Sequence, residues 1–253
     1  MEVKYKPNNI YNVDSYKAIK EIPDKSIDCI YTDIPYLIVS GGGGHSELSQ
    51  RIVKNKSIDI GHLSDGIDYA IFDEFKRVMK KVNLFIWCSK LQLIDILNYW
   101  GKDNNYEVLV WVKTNPTPQT NNVWLPDIEY CLYFREKGVK LNDGYDIKSK
   151  WYQAPINKAD KDLYDHPTIK PLDLVKKHLL HTTQENDVVL DPFLGSGTTV
   201  ISCLETKRQF IGFEIDKSYY DIAQDRLNGI TQVERREKEA GVMDIFDFIG
   251  ERR

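Results

Sequence analysis

The sequence predicts an α/β fold with a mostly parallel sheet, because short apolar strand candidates alternate with amphipathic helix candidates. Several of these strands are apolar almost without alternation, which is typical of strands covered on both faces. Residues 188–199 have the pattern of a strand, a glycine turn and a helix, which is typical of the same class. The strand candidates are residues 27–32, 83–88, 107–112, 128–134, 188–191 and 210–215.

Four segments carry apolar residues at helical spacing. The clearest helix is predicted over residues 65–82, where Ile71, Phe75 and other apolar residues recur with charged residues between them. The other helices are predicted over residues 91–100, from Pro171 onwards, and over residues 217–227. Pro171 is expected to be the first helical residue, because proline is favoured at that position.

The length of 253 residues and the hydrophobic content of 42% predict a single domain over residues 1–253 with a sizeable core. Two stretches lack periodicity: residues 37–64, which contain a run of four glycines, and residues 135–165, which are polar and lysine-rich. Long loops in a compact domain are lids, binding loops or disordered segments. We expect a mobile loop over residues 37–64 and a small insertion over residues 135–165.

The composition argues against several classes of protein. The chain has no run of eighteen apolar residues, so no membrane span is expected, and no signal peptide is evident at its start. The four cysteines form no CxxC pair, so we expect no metal site and no disulfide framework, and a reduced cytoplasmic setting fits. A net charge of −4 argues against nonspecific coating of nucleic acid but leaves room for a local basic groove.

A ligand site is predicted at the glycine turn. Gly195 and Gly197 allow positive φ and close approach of a ligand to the backbone, and the amides of the following helix start favour a polar or anionic group. Glu214 ends the next strand, where an acid can accept hydrogen bonds from both hydroxyls of a ribose. Val200 replaces the third glycine of the dinucleotide motif, and no P-loop lysine follows. The alternative is an ordinary tight turn with a surface glutamate.

The segment Asp-Ile-Pro-Tyr, residues 33–36, follows the first strand candidate at the edge where open α/β sheets bind ligands. Pro35 restricts Ile34 to an extended conformation, which can leave the Ile34 carbonyl free. An aspartate oxygen and a neighbouring carbonyl are two acceptors that suit the two donors of an amino group. Tyr36 offers a face on which a base can stack. Taken alone, such a turn is more often structural.

Taken together, these motifs resemble those of the amino-methylating DNA methyltransferases of the β class. Residues 33–36 resemble the catalytic motif, usually [DNS]-P-P-[YF], and residues 191–199 resemble the cofactor motif. Further matching segments are the HPTxKP-like residues 166–171, residues 10–15, residues 110–116 and the pair Glu129-Tyr130. The catalytic motif precedes the cofactor motif, which is the order of this permuted class, and the resemblance covers most of residues 10–228.

The resemblance implies a permuted Rossmann-like SAM-dependent methyltransferase fold, with a mostly parallel seven-stranded sheet and helices on both faces. The implied cofactor is S-adenosyl-L-methionine. Its expected contacts are Asp14, Thr168, Lys170, Asp191, Phe193, Gly195, Ser196, Gly197, Thr198 and Glu214. For Lys170, a solvated lysine at a helix start is an equal alternative.

The implied function is methylation of the exocyclic amino group of adenine in double-stranded DNA, with the base flipped out of the duplex. The expected catalytic residues are Asp33, Ile34, Pro35 and Tyr36. Ile34 replaces the first proline of the family motif but keeps the carbonyl that acts there. Aspartate in first position favours adenine. Cytosine N4 methylation, methylation of RNA, and a noncatalytic relative are the alternatives.

Basic residues between the motifs are candidate phosphate contacts. Residues 135–161 carry seven Lys or Arg against four acids, and they lie in the expected target-recognition insertion over residues 135–165. The named candidates are Arg51, Lys54, Lys148, Lys150 and Lys158. A merely solvated lysine-rich face is the alternative. Trp124 and Trp151, in predicted loops, are further candidates for contact with nucleic acid. A homodimer and a prokaryotic or phage-infected cell fit this interpretation, while the recognition sequence stays open.

Overall fold

An eight-stranded sheet forms the centre of the molecule in the computed structural model, which describes residues 3–36, 66–119, 122–144, 146–156 and 169–230. The strands are β1 (Asn9–Asn12), β2 (Cys29–Asp33), β3 (Asn83–Cys88), β4 (Asn105–Lys113), β5 (Ile128–Arg135), β6 (Trp151–Ala154), β7 (Val188–Asp191) and β8 (Gln209–Glu214). They lie in the order β1-β8-β7-β2-β3-β5-β4-β6. Within this sheet only β5 runs antiparallel to its neighbours, so the mostly parallel sheet is confirmed.

The sheet has one strand more than the predicted seven. The extra strand is β6, which lies inside the segment 135–165 and pairs in parallel with residues 110–113 of β4. Its sequence, WYQA, alternates between exposed and half-buried residues, as edge strands do, and carries too little apolar signal to predict a strand. Backbone pairing with β4 fixes its conformation, beginning with the 2.9 Å hydrogen bond from Val110 N–H to the Lys150 carbonyl.

The helices of the described chain are α1 (Ser15–Ala18), α2 (Ile71–Val78), α3 (Leu93–Trp100), α4 (Leu172–Thr182), α5 (Thr198–Glu205) and α6 (Lys217–Leu227). The bounds of α6 are those predicted. The predicted helix over 65–82 is too long, because Met79 turns to an extended conformation and pairs with Ile27, which ends α2 at Val78. Pro171 is not the first helical residue; it has an extended ψ of 128° and precedes the helix.

Helices cover both faces of the sheet. Ile30 and Ile86 belong to one buried apolar cluster, whereas Tyr31 and Phe85 belong to the other. Because successive strand residues point to opposite faces, the two clusters lie on opposite sides of the sheet. Residues of α2 and α3 complete the first cluster, and residues of α4, α5 and α6 complete the second. In the part of the chain that the structure describes, no helix is long and apolar enough to cross a membrane.

The parallel pairing brings the predicted motifs to one edge of the sheet. Asp33 at the end of β2 is level with Trp87 of β3, and Asp191 at the end of β7 is level with Gly212 of β8. β2 and β7 are neighbours, although about 150 residues separate them in sequence. This edge is where open α/β sheets bind their ligands. The expected mobile loop over 37–64 lies outside the described residues.

Candidate active site

The glycine turn has the backbone conformation that its sequence predicts. Gly195 and Gly197 have φ of 54° and 85°, in the region that side chains rarely adopt. A Cβ on Gly197 would lie 3.0 Å from the Cβ of Ala223 in α6. The turn therefore needs glycine at residue 197 for two reasons: the positive φ and the close packing of α6.

Glu214 fastens this turn to the end of β8. Its Oε2 accepts a hydrogen bond from Gly195 N–H at 2.7 Å, and its Oε1 accepts one from Asp216 N–H at 2.8 Å. The side chain is buried, and burial raises its pKa, although the two amide donors act in the opposite direction. Each carboxylate oxygen retains a second lone pair, so both can still accept a ligand hydroxyl.

The N-terminal segment packs against the same turn. Asn12 of β1 is level with Glu214, and Val13 N–H donates to the Glu214 carbonyl at 3.0 Å. Ser15 Oγ donates to the Pro192 carbonyl. Asp14 lies between these contacts, where its carboxylate caps α1 by accepting from Tyr16 N–H at 3.0 Å. The structure thus brings Asp14, Glu214 and the glycine turn together, and the expected contact of Asp14 with the cofactor stays a prediction.

Arg226 of α6 supports the turn from behind, a role that no motif indicates. Its Nη1 donates to the Ser196 carbonyl at 2.7 Å, to Ser196 Oγ at 3.1 Å and to Thr198 Oγ1 at 3.2 Å. Both hydroxyls are buried and face the guanidinium. This arrangement favours cofactor contacts from the backbone of Ser196 and Thr198 over contacts from their side chains.

Asp191 and Phe193 open the turn. Asp191 Oδ1 accepts a hydrogen bond from Phe193 N–H at 3.2 Å, and the Asp191 carboxyl is almost completely buried. Burial raises its pKa to about 7, despite hydrogen bonds that favour the charged form. Asp191 therefore stabilises the turn from a buried position, by its hydrogen bond with Phe193 N–H.

Lys170, from the HPTxKP-like segment, binds Asp33 of the Asp-Ile-Pro-Tyr turn. The Lys170 Nζ lies 2.5 Å from Asp33 Oδ2 and 3.0 Å from Glu129 Oε2, and it sits 4.9 Å above the Trp87 ring. The side chain is buried, so the alternative of a solvated lysine is wrong. Burial lowers the pKa of Lys170, but the charges of Asp33 and Glu129 outweigh that effect and raise it well above the ordinary value. The structure places Lys170 at the Asp-Ile-Pro-Tyr turn, and its contact with a cofactor stays a prediction.

Glu129 and Lys113 complete a cluster of two acids and two lysines, in which Lys170 is buried and the other three are half-buried. Lys113 Nζ lies 2.7 Å from Glu129 Oε1, as a diagonal pair across the antiparallel strands β4 and β5. Burial would raise the pKa of Glu129, but the charges of Lys170 and Lys113 hold it at about 2. Sequence spacing does not indicate this cluster, because Asp33, Glu129 and Lys113 meet only through the pairing of β2 with β3, β3 with β5 and β5 with β4, and Lys170 joins them from the segment before α4.

Asp33 keeps one oxygen free. While Oδ2 binds Lys170, Oδ1 is shielded from solvent and has no hydrogen-bond partner among the described residues. A buried acceptor without a donor is costly and rare in proteins, and such atoms are common at functional sites. Asp33 thus presents one unused acceptor at the edge of the sheet.

Ile34 explains how the chain tolerates the loss of the family's first proline. Its side chain is buried in the apolar cluster, and its N–H donates to the Trp87 carbonyl at 3.2 Å. A proline could not make that hydrogen bond. The next donor along the parallel ladder, Ser89 N–H, bonds instead to the side chain of Gln92 at 3.0 Å. The Ile34 carbonyl therefore loses its expected partner in the sheet.

Tyr36 is half-buried beside this group. Its hydroxyl lies 3.4 Å from Lys170 Nζ, and its ring centroid lies 5.8 Å from the same atom. Burial and the nearby charge of Asp33 raise the pKa of Tyr36 well above the ordinary value, so its hydroxyl stays protonated. The structure thus groups Asp33, Ile34, Pro35 and Tyr36 at the end of β2.

The predicted phosphate contacts are only partly described. Lys148 pairs with Asp143, and Lys150 pairs with Glu107 at 2.5 Å, beside the beginning of β6. Both lysines are more than half exposed, so contact with DNA stays a prediction for them. Thr168, Arg51, Lys54 and Lys158 lie outside the described residues.

The tryptophans divide into a buried set and an exposed pair, but Trp151 lies in strand β6 and not in the predicted loop, because its backbone pairs with Val110 of β4. Trp87, Trp100 and Trp111 are buried in the core. Trp124 is 98% exposed and precedes β5, which begins at the catalytic edge of the sheet. Trp151 is 56% exposed. The exposed pair remains available for an external ligand.

Comparison with known proteins reveals relatives over almost the whole chain. The type II methyltransferase M2.LlaDCHI of Lactococcus lactis subsp. cremoris is 31% identical over 240 residues, which cover 87% of this chain and 88% of the relative. M2.DpnII of Streptococcus pneumoniae is 30% identical over 238 residues, covering 85% and 87%. The crystal structure of an M1.HpyAVI–SAM complex superposes with a TM-score of 0.64 at 26% identity, covering 86% of this chain and 98% of that one.

A more distant structure extends the fold comparison. The cytosine-N4-specific PvuII DNA methyltransferase has a TM-score of 0.61 at 17% identity, covers 89% of this chain and 94% of that one, and shows the shared fold alone. The predicted methyltransferase fold is therefore confirmed. The DNA methylase family matches residues 27–225. The chain thus belongs to the DNA methylase family, and it is an enzyme that methylates DNA.

Proposed function

We propose that this chain transfers a methyl group from S-adenosylmethionine to the exocyclic amino group of adenine in double-stranded DNA. The observation that carries the proposal is Asp33 Oδ1, which has no hydrogen-bond partner among the described residues, next to the Ile34 carbonyl at the sheet edge that also holds the glycine turn. An amino group has two N–H donors, and these two acceptors match them. Both acceptors lie on neighbouring residues of one short turn at the end of β2.

The acceptor pair also answers the chemical difficulty of the reaction. The lone pair of an adenine amino nitrogen is conjugated with the ring, which makes the nitrogen a weak nucleophile. Acceptance of both hydrogens by Asp33 and the Ile34 carbonyl favours a pyramidal nitrogen whose lone pair can attack. Methyl transfer would break the S–C bond of the cofactor as the N–C bond forms. Asp33 Oδ1, which would already accept one hydrogen of the nitrogen, would stabilise the positive charge that develops there and is placed to take up the released proton. Fixed acceptors of this kind stabilise charge that develops in the transition state.

Lys170 prepares Asp33 for this role. Its ammonium holds Oδ2 at 2.5 Å and leaves Oδ1 for the base. Because the pKa of Lys170 is raised, the ammonium keeps its charge throughout the physiological pH range. Glu129 of β5 also binds the Lys170 ammonium. The ammonium therefore neutralises only part of the negative charge of Asp33.

The residues around the glycine turn fit S-adenosylmethionine. When bound, this cofactor supplies an electrophilic methyl group. The left-handed Gly195 and Gly197 let its methionine portion pass close to the backbone, and the buried Glu214 carboxylate can accept its ribose hydroxyls. The M1.HpyAVI structure, which has the same fold at 26% identity, is a complex with SAM, and this supports the assignment.

The choice of adenine depends on the aspartate at residue 33, which resembles the adenine-specific motif. A cytosine amino group would fit the same acceptors, and the fold is shared with a cytosine-N4 enzyme. Incubation with tritiated S-adenosylmethionine and plasmid DNA, followed by nucleoside analysis, should yield N6-methyladenine. N4-methylcytosine would refute the choice of base alone. Methylation of RNA with none in DNA would refute the substrate.

The relatives named above are type II methyltransferases of bacteria, which supports a role in restriction–modification and a cytoplasmic location. Plasmid from cells that express the chain should then resist a restriction enzyme whose site contains the methylated adenine, whereas plasmid from cells that express Asp33→Ala should be cut. Sedimentation of the purified protein tests the expected homodimer.

A further inference from the structure

Gln92 has a buried side chain that ties the catalytic turn to the end of β3. It is 1% exposed and immediately precedes α3. Its Oε1 accepts from Ser89 N–H at 3.0 Å and from Ser89 Oγ at 2.9 Å. Its Nε2 donates to the Pro35 carbonyl at 2.9 Å. The amide oxygen of Gln92 therefore binds the residue that follows β3, and the amide nitrogen binds the turn that follows β2.

These contacts end the β2–β3 ladder at a definite residue. Asp33 is level with Trp87, and Ile34 N–H still donates to the Trp87 carbonyl. In a parallel ladder the next donor, Ser89 N–H, would bond to the Ile34 carbonyl. Because Gln92 Oε1 takes Ser89 N–H, the ladder stops and the Ile34 carbonyl is released.

We propose that Gln92 is a positioning residue for the methylation reaction. It keeps the Ile34 carbonyl free by holding Ser89 N–H, and it fixes the orientation of the turn by holding the Pro35 carbonyl. This inference rests on the proposed function, in which the Ile34 carbonyl accepts one hydrogen of the target amino group. It assigns catalytic support to a residue outside the Asp-Ile-Pro-Tyr segment.

Two substitutions separate the polar role of Gln92 from simple packing. Gln92→Met keeps an unbranched side chain of similar size but removes both hydrogen-bonding ends. Gln92→Glu keeps the acceptor for Ser89, but when ionised it has no donor for the Pro35 carbonyl. When protonated, the carboxyl again has one acceptor and one donor, as the amide does. Burial should raise the pKa of the introduced carboxyl, so that the change falls in an accessible pH range.

The matched control is Gln184→Met. Gln184 Nε2 donates to Asn142 Oδ1 at 2.8 Å, just before β7 and therefore at the opposite edge of the sheet from the catalytic turn. This variant removes a glutamine hydrogen bond without touching the turn. It should leave the methylation rate within twofold of wild type.

The experiment measures kcat and KM for DNA, the Kd for S-adenosylmethionine and the thermal midpoint. Gln92→Met should lower kcat by 10- to 100-fold while the Kd for the cofactor changes less than threefold. The rate of Gln92→Glu relative to wild type should rise as pH falls from 9 to 6, whereas the relative rate of Gln92→Met should stay flat.

Other outcomes are equally informative. A wild-type kcat for Gln92→Met, or a relative rate of Gln92→Glu that does not change with pH, would refute the positioning role. Loss of cofactor binding in step with kcat would also refute it, because Gln92 would then support the fold in general. If the wild type transfers no methyl group to DNA, the proposed function itself fails. A normal wild type with unaffected variants rejects only the role of Gln92.

Discussion

Replacing Lys170 with methionine should destabilise the protein strongly, because two half-buried carboxylates would lose the buried cation that they share. Lys170 Nζ lies 2.5 Å from Asp33 and 3.0 Å from Glu129, and its side chain is only 8% exposed. Removing one partner of a buried ion pair costs about 3–5 kcal/mol. A single domain of this size should then lose roughly 6–20 °C in Tm.

The pKa of Glu129 supports the same magnitude. Its value of about 2, against an ordinary 4.5, corresponds to about 3 kcal/mol of stability. Because the pKa is lowered in the folded state, this stability is present above pH 4.5 and is lost as pH falls towards 2. Lys113 supplies part of it, at 2.7 Å from Glu129. Lys170 therefore supplies a large fraction of this stability, and its contact with Asp33 adds to it.

Urea unfolding of Lys170→Met at pH 8 tests the estimate, with Lys176→Met as the matched control. Lys176 also lies between two carboxylates, but at the surface, where loss of the pair should cost less than about 1 kcal/mol. The destabilisation of Lys170→Met should shrink from pH 8 to pH 5, as Glu129 takes up a proton in the variant. A loss of unfolding free energy below about 1 kcal/mol for Lys170→Met at pH 8 would refute the reasoning.

Other predictions concern the two ends of the site. Glu214→Gln should weaken cofactor binding by about 10- to 100-fold, since one oxygen that accepts from a backbone amide becomes a donor facing it; unchanged affinity in calorimetry would remove Glu214 from the site. Asp33→Ala should keep cofactor affinity near wild type and lower kcat by at least about 100-fold, and near-normal methylation would exclude the turn from the chemistry. Asp191→Asn should gain stability relative to wild type as pH rises from 4 to 7, by on the order of 4 kcal/mol, because the unfolded wild type ionises this carboxyl above pH 4 whereas the folded state, with a pKa of about 7, keeps it protonated; a difference independent of pH in cofactor-free unfolding would contradict this. Trp124→Ala should weaken DNA binding by about 1–3 kcal/mol if the exposed ring stacks on a base, and equal affinity in fluorescence anisotropy would leave it a free surface residue.

The sequence alone determined the elements whose signal is local. β2, β3, β7 and β8 are short apolar runs, so their position follows from composition. The end of α6 follows from Asn228-Gly229, and its start lies next to the aspartate that caps it, at residue 216. Gly195 and Gly197 mark the turn because only glycine adopts its conformation easily. These features depend on neighbours in the chain, and for that reason they can be predicted without the fold.

Tertiary structure decided the features that depend on pairing between distant segments. β6 is a strand only because β4 offers it an edge, and α2 ends at Val78 only because Met79 pairs with Ile27. The family resemblance predicts Lys170 near the cofactor, and nothing in the sequence indicates its contact with Asp33. The two residues are 137 positions apart, so only the folded chain brings them together. Gln92, which precedes α3, lies in no motif, and the family-like pair Glu129-Tyr130 gave no indication that Glu129 would bind Lys170. The sequence determines which groups can do chemistry, whereas the sheet order determines which of them touch.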